Sequence, residues 1–289
     1  MLGITLLLLA SLFSLALAED KISRMLIILL TAATALLILI PPAGILLLIP
    51  LTIAYKIKDY ALFMHVNMSS AIAVSLSLIY YFDKGIFIGT KELALMFSVL
   101  IAIIAAYGIM EKDLKKFLLA SNCAQILFVA LDLSVGYAIG SPGILKTIQV
   151  FNYAIAGTLL YFGIGLIANK KEKVSDLMGS WFVSKWADAF TVIACLSLAG
   201  LPGFNIFVSE WALFTKGFVL SPVITLMGIF LAMMLFIMYY KIAYYLLVGP
   251  GREQKEAPLK LAIAGALGAA CIILGLLPQA QYMILGGIA

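Results

Sequence analysis

The run Leu196-Ser197-Leu198-Ala199-Gly200-Leu201-Pro202-Gly203-Phe204-Asn205-Ile206-Phe207-Val208-Ser209-Glu210-Trp211 decides how this chain is built. Two apolar stretches, 181–200 and 204–219, meet at two glycines and a proline, and the second stretch carries a carboxylate. Proline removes a helix donor, and glycine adopts backbone that other residues avoid, so a helix has to stop here. With a restart just after Gly203, Glu210 sits about 9 Å into an apolar helix, at 1.5 Å per residue. A charged side chain at that depth is costly and usually functional. Burial disfavours its ionised form and a nearby cation favours it, so a glutamate held between the two effects can bind and release a proton.

Outward from this run the chain stays apolar. Its 289 residues are 64% hydrophobic and 11% charged, with a mean hydropathy of +1.15. Soluble domains average about 45–50% apolar and about 25% charged. This composition excludes a soluble enzyme, a disordered chain and a nucleic-acid binder. Cys123, Cys195 and Cys271 lie far apart in apolar runs, which supports neither a disulfide framework nor a metal–thiolate site. A single histidine excludes a multi-histidine centre. There is no glycine-rich nucleotide loop and no nucleophile–base constellation. The expectation is a chain with no catalytic centre and no cofactor of its own.

A spanning helix takes about 20 mostly apolar residues. Runs at 2–18, 25–40, 43–55, 61–82, 93–110, 114–135, 143–168, 181–200, 204–219, 223–248 and 259–277 meet or approach that length. Pro41-Pro42 makes either a tight hairpin or a kink, so about ten or eleven transmembrane helices are expected. The last piece, 280–289, is too short to span and is expected along an interface. The fold class is therefore all-α, a polytopic membrane helical bundle, with N-terminal helices over 1–60 and a single bundle over 61–289. Met1 to Ala18 ends like a secretory signal, but no Lys or Arg precedes its apolar run, so it reads as the first transmembrane helix. Loop cations favour one side: Lys21, Arg24, Lys56, Lys58, Lys112, Lys115, Lys116, Lys170, Lys171, Lys173, Lys185 and Lys216 against Lys84, Lys91, Lys146, Arg252, Lys255 and Lys260. The richer side reads as cytoplasmic and the N-terminus as outside.

The other charged and polar candidates are few. Lys216 stands near a helix end, where a lysine can snorkel. Lys241 lies among Tyr239, Tyr240, Tyr244 and Tyr245, either as part of an aromatic belt or as an interior relay. Lys115 follows Asp113 at a helix N-terminus, where the macrodipole favours the acid and disfavours the lysine. Asp132, at the far end of that helix, reads as interfacial. Lys146, Gln149, Asn152 and Tyr153 run into the next helix and either line a hydrated path or bridge helices. Asp188 reads as an i, i+3 partner of Lys185. His65, early in a span, is structural by default, yet it is the one side chain that titrates near neutrality unaided.

Several of these residues fall into a recognisable order. Asp113-Leu114-Lys115-Lys116-Phe117-Leu118-Leu119-Ala120-Ser121-Asn122-Cys123-Ala124-Gln125 resembles the D-L-K-R signature helix of antiporter-like membrane subunits of respiratory complex I, Mrp cation antiporters and energy-converting hydrogenases. Ile148 through Gly165 resembles the family's next helix, with Tyr153 where a histidine is usual. Ser197 through Glu210 is similar to its S-L-A-G…P…G-F run, and Leu274-Gly275-Leu276-Leu277-Pro278-Gln279 to its last-helix ending. Order and spacing agree over about 60–289. The resemblance implies discontinuous helices, with Gly200, Pro202, Gly203 and Asn205 at one break, and a polar axis at mid-membrane. It places the family's broken-helix charge on Glu210 and its signature lysine on Lys115. The family's first-repeat charges have no counterpart; the matching stretch reads Asn67-Met68-Ser69-Ser70-Ala71. The short length resembles the shortened subunits of archaeal energy-converting hydrogenases. It implies a half-channel for H⁺ or Na⁺ in an archaeal cytoplasmic membrane. Membrane and peripheral partner subunits would hold any iron–sulfur or nickel–iron centres. A Mrp-type antiporter subunit and a non-conducting structural subunit are the alternatives.

Overall fold

The computed structural model describes residues 2–143, 145–167, 172–178, 185–248 and 258–286. In chain order its α-helices are α1 Leu2–Leu17, α2 Lys21–Leu39, α3 Leu48–Ile53, α4 Tyr60–Asp83, α5 Lys91–Met110, α6 Leu114–Ala138, α7 Leu145–Ile167, α8 Lys185–Leu198, α9 Asn205–Leu220, α10 Pro222–Leu247, α11 Pro258–Leu276 and α12 Pro278–Gly286. Helix starts follow the polar residues that interrupt the apolar runs. The side chains of Asp20, Asp59, Thr90 and Asp113 accept the N–H groups of Ser23, Leu62, Leu93 and Lys116 at 2.6, 2.7, 3.1 and 2.9 Å. Each satisfies one of the four N–H groups that a helix start leaves unbonded, which is worth about 1 kcal/mol.

Seven of these helices (α2, α4, α5, α6, α7, α10 and α11) are long and apolar enough to cross a membrane. The molecule is an all-α membrane bundle. α4, α6 and α7 form its interior, with 83%, 83% and 89% of their most apolar windows buried, against 17% for α2 and 28% for α5. The outer helices turn side chains such as Ile103, Leu226, Phe230 and Leu259 outward. In a bilayer that exposure carries no penalty, because lipid tails are as apolar as the side chains themselves.

At Pro41-Pro42 the chain reverses, so the hairpin alternative is the one adopted. The carbonyls of Pro41 and Pro42 accept the hydroxyls of Ser77 and Tyr81, near the end of α4. The chain then returns through a 3₁₀ turn (Pro41–Leu47), α3 and a second turn (Ala54–Lys56) to the start of α4. There the Ile57 carbonyl accepts Lys115 Nζ.

Two crossings are broken. α8 and α9 have 14 and 16 residues, about 21 and 24 Å, and neither alone spans the roughly 30 Å of hydrocarbon. Both pack along α10, so they lie end to end as one pass. The sequence reading of 181–200 and 204–219 as separate spans is corrected accordingly. α11 likewise stops before Pro278, and α12 continues it. Gln281 of α12 is fully buried, which ties 278–286 into the bundle instead of leaving it along an interface; 287–289 lie outside the described residues. The two breaks touch: a Cβ on Gly275 would overlap the Gly203 carbonyl and the Phe204 backbone. The passes are then α1, α2, the 41–56 return, α4, α5, α6, α7, α8–α9, α10 and α11–α12, the lower of the expected counts.

The merged pass moves Lys216 to the opposite end, where its Nζ donates to the Ser141 carbonyl at 2.9 Å. It also moves Lys260 to the cation-rich end. That end now holds Lys21, Arg24, Lys56, Lys58, Lys112, Lys115, Lys116, Lys173, Lys241 and Lys260, against Lys84, Lys91, Lys146 and Lys216 at the other. Lys170, Lys171, Arg252, Lys255 and the side chain of Lys185 lie outside the described residues.

Candidate functional site: a buried glutamate at the crossing of two broken helices

α8 closes with Gly200 N–H donating to the Ser197 carbonyl at 3.0 Å and Leu201 N–H to the Leu196 carbonyl at 3.3 Å. Gly200 takes a φ of +68° and Gly203 one of +93°. Glycine adopts that left-handed geometry without the Cβ penalty, and Pro202 between them cannot continue the helix. Asn205, the first residue of α9, then stitches the gap. Ser197 Oγ donates to Asn205 Oδ1 at 2.5 Å, and Asn205 Nδ2 donates to the Asn152 carbonyl at 3.0 Å. Asn152 Nδ2 returns a bond to the Asn205 carbonyl at 2.8 Å and another to Gln281 Oε1 at 3.0 Å. Gln281 Nε2 binds the Leu274 carbonyl at 2.8 Å, which ties α12 into the same knot. Amides serve here because each supplies donors and acceptors to backbone that no helix ladder satisfies.

Glu210 is five residues into α9 and 2% exposed. Helical side chains lean toward the N-terminus, and its carboxyl reaches back against Gly200, so closely that a Cβ there would overlap it. Among the described residues no hydrogen bond reaches that carboxyl and no cation pairs with it; Lys146–Asp83, at 3.6 Å, is the ion pair found.

Beside the knot runs a neutral hydrogen-bonded network. Tyr153 donates its hydroxyl to Asn122 Oδ1, and Asn122 Nδ2 donates to the Asn67 carbonyl at 2.9 Å. Gln149 Nε2 donates to Gln125 Oε1 at 2.8 Å. The Tyr239 hydroxyl accepts Gln125 Nε2 at 3.3 Å and shares a 2.8 Å bond with Ser121. Every one of these side chains is buried. His65 is buried as well, and neither ring nitrogen has a hydrogen-bond partner.

The structure thus places Asn152 and Asn205 at the break that carries Glu210 and bonds Gln149 and Tyr153 to side chains of α6, while the four candidate lysines stand at the rims. Lys115 Nζ donates to the Ile57 and Lys58 carbonyls, and Lys241 Nζ to those of Ile109 and Glu111. All four serve as donors or ion-pair partners near helix ends, where the backbone leaves carbonyls unbonded. Asp188 is fully buried; the Lys185 side chain lies outside the described residues.

Sequence reasoning placed Asp132 at an interface, and that is corrected: it is 1% exposed. The overlooked signal is spacing. Asn122, Gln125 and Asp132 recur at three and seven residues, which puts them on one face of α6.

Helices broken at glycine and proline, crossing beside a buried acid, define a polytopic membrane protein of the kind built around discontinuous helices. The chain belongs to the NADH:quinone oxidoreductase/Mrp antiporter transmembrane family, whose model matches residues 86–236. It is 28% identical over 241 residues to an uncharacterised protein of Methanocaldococcus jannaschii, covering 78% of this chain and 48% of that one. It is also 28% identical over 129 residues to hydrogenase-4 component B of Escherichia coli, covering 40% of this chain and 19% of that one. The chain thus spans about half or less of the length of these relatives. In fold it resembles a chain of the Mrp complex from a Dietzia species, at TM-score 0.67 and 16% identity, covering 96% of this chain and 64% of that one. It also resembles a chain of respiratory complex I from Thermus thermophilus, at TM-score 0.60 and 16% identity, covering 90% and 67%.

Proposed function

We propose that the chain is an ion-translocating membrane subunit of a multi-subunit, redox-driven pump of the energy-converting hydrogenase type, and that it carries a half-channel centred on Glu210. The observation that carries this reading is the unpaired, buried carboxyl of Glu210 at the point where two broken helices cross. Backbone freed at a helix break is the membrane setting in which ions are held, and a carboxyl there can take up H⁺ or Na⁺. H⁺ is the ion proposed, because a lone buried carboxyl can take up a proton without any further ligand. The hydrogenase setting draws on the hydrogenase-4 relatives. Partner subunits then hold the iron–sulfur or nickel–iron centres, and neighbouring membrane subunits supply the other half-channel. The cation-rich end faces the cytoplasm by the positive-inside rule, in an archaeal cytoplasmic membrane.

A second reading has one observation in its favour. The network from Tyr239 to Gln149 is neutral and internally satisfied, as a sealed spacer would be. Gentle solubilisation followed by native mass spectrometry separates the settings. Co-purifying hydrogenase-like subunits support the redox pump, whereas a complex of antiporter-like chains alone supports a Mrp-type antiporter. Deuterium exchange into the buried side-chain amides, followed by infrared spectroscopy, separates conduction from sealing: a hydrated path exchanges and a spacer does not.

A further inference from the structure

The reading above leaves a buried acid of α6 unused. Asp132 lies six residues before the end of α6, about 9 Å inside it. It is 1% exposed, and among the described residues neither carboxyl oxygen has a hydrogen-bond partner. A buried carboxylate kept for structure accepts hydrogen bonds or pairs with a cation, because ionisation otherwise costs several kcal/mol. Asp132 does neither. α6 packs directly on α9, the helix that carries Glu210. The remaining charged groups on the surrounding helices are engaged or exposed. Lys91 and Glu92 open α5 on the surface, Lys146 of α7 pairs with Asp83 of α4, and Lys216 of α9 is held by Ser141.

Two buried acids on packed helices with no cation beside either are costly to ionise together, so one charge at most is favoured between them. We propose that Asp132 is a second ion-carrying residue of this subunit, receiving the proton from Glu210 and passing it toward the end where Lys146 and Asp83 lie. In the step, the O–H bond of the Glu210 carboxylic acid breaks, the proton crosses through intervening water, and an O–H bond forms on the Asp132 carboxylate. Glu210 is left as the carboxylate, so the charge of the pair is unchanged and no second buried charge is created. The inference rests on Glu210 being the carrier at the break.

The test compares Asp132→Asn, Glu210→Gln and the unmodified full chain in vesicles of its own membranes. It reads proton flux with an internal pH dye and protonated-carboxyl C=O bands by infrared difference spectroscopy. Asp132→Asn is expected to lower flux about 10²-fold or more, as loss of a proton-transferring group does. It should also delete one carboxyl band and move the titration of the other, which a merely structural residue would not do. Flux kept within about twofold in Asp132→Asn, with Glu210→Gln inactive, overturns the role of Asp132 and leaves Glu210 standing. Flux kept in both variants removes the reading of Glu210 itself. If Asp132→Asn fails to assemble, the unmodified chain decides: two carboxyl bands that titrate together support the pair, and a single band absent from Glu210→Gln overturns it.

Discussion

Gly200→Ala probes the geometry that holds Glu210. The new residue must adopt a φ of +68°, which costs an L-residue with a Cβ about 1–2 kcal/mol. Its Cβ also lands on the Glu210 carboxyl, and moving a packed side chain aside costs about 1–3 kcal/mol more. The total, about 2–5 kcal/mol, is a large share of a typical folding free energy. The two parts separate in a double-mutant cycle. In a Glu210→Ala background the carboxyl is gone, the steric part vanishes, and only the backbone part of about 1–2 kcal/mol remains. The assay is reversible unfolding of the full chain in mixed detergent micelles, with the four proteins compared at one lipid composition. An equal cost in both backgrounds would refute the contact between Gly200 and the carboxyl. A cost under about 0.5 kcal/mol in the unmodified background would refute the left-handed turn itself.

Four further outcomes follow from the same structure. Gly275→Val drives a side chain into the Gly203 carbonyl and the Phe204 backbone, which cannot yield as a flexible side chain can; limited proteolysis should show the α8–α9 and α11–α12 breaks opening together, and an unchanged digest would count against their crossing. Lys241→Met removes donors to the Ile109 and Glu111 carbonyls and should cost about 1.5–3 kcal/mol of stability while ion flux persists; lost flux with unchanged stability would make Lys241 a carrier instead. Tyr153→Phe strands Asn122 Oδ1 in the interior and should cost about 1–3 kcal/mol in the same unfolding assay; a neutral result would mean that Asn122 finds another donor. Asp20 caps α2, and the Ser23 N–H and hydroxyl hold its carboxyl below the ordinary 3.8. Its folded-state value is depressed, so its contribution is complete above the unfolded value and is lost as pH falls through the folded one. Hydrogen exchange at the first turn of α2 should therefore quicken, beyond the intrinsic pH trend, only below about pH 4; acceleration near neutrality would contradict the cap.

Much of the fold was legible because bilayer thickness makes an apolar run a length measurement. α4 through α7 and α10 fall within a few residues of the runs read from the sequence. The sequence was less clear where helices are short. A run of about 16 apolar residues is compatible with a whole thin span or with half of a broken one, and only packing against α10 decides that α8 and α9 share a pass. The same ambiguity hid the role of α12, whose nine residues look interfacial until Gln281 is seen bonded to Asn152. At the site, Glu210 and the glycines of the break were readable from chemistry alone, since a carboxylate and a Gly-Leu-Pro-Gly turn are both conspicuous in an apolar context. Asp132 was not, because distance along α6 was taken for distance from the core. The helix is 25 residues long, and its last turns stay buried beneath α5, α7 and α9.

The proposed function places the ion on the Glu210 carboxyl, and Glu210→Gln removes its charge while nearly preserving its shape. In membrane vesicles carrying the assembled complex, redox turnover and proton uptake are followed together. Electron transfer that continues while proton uptake is abolished is the outcome required of a carrier at the break. Proton uptake that keeps pace with electron transfer in the Gln variant would show that the ion takes another route.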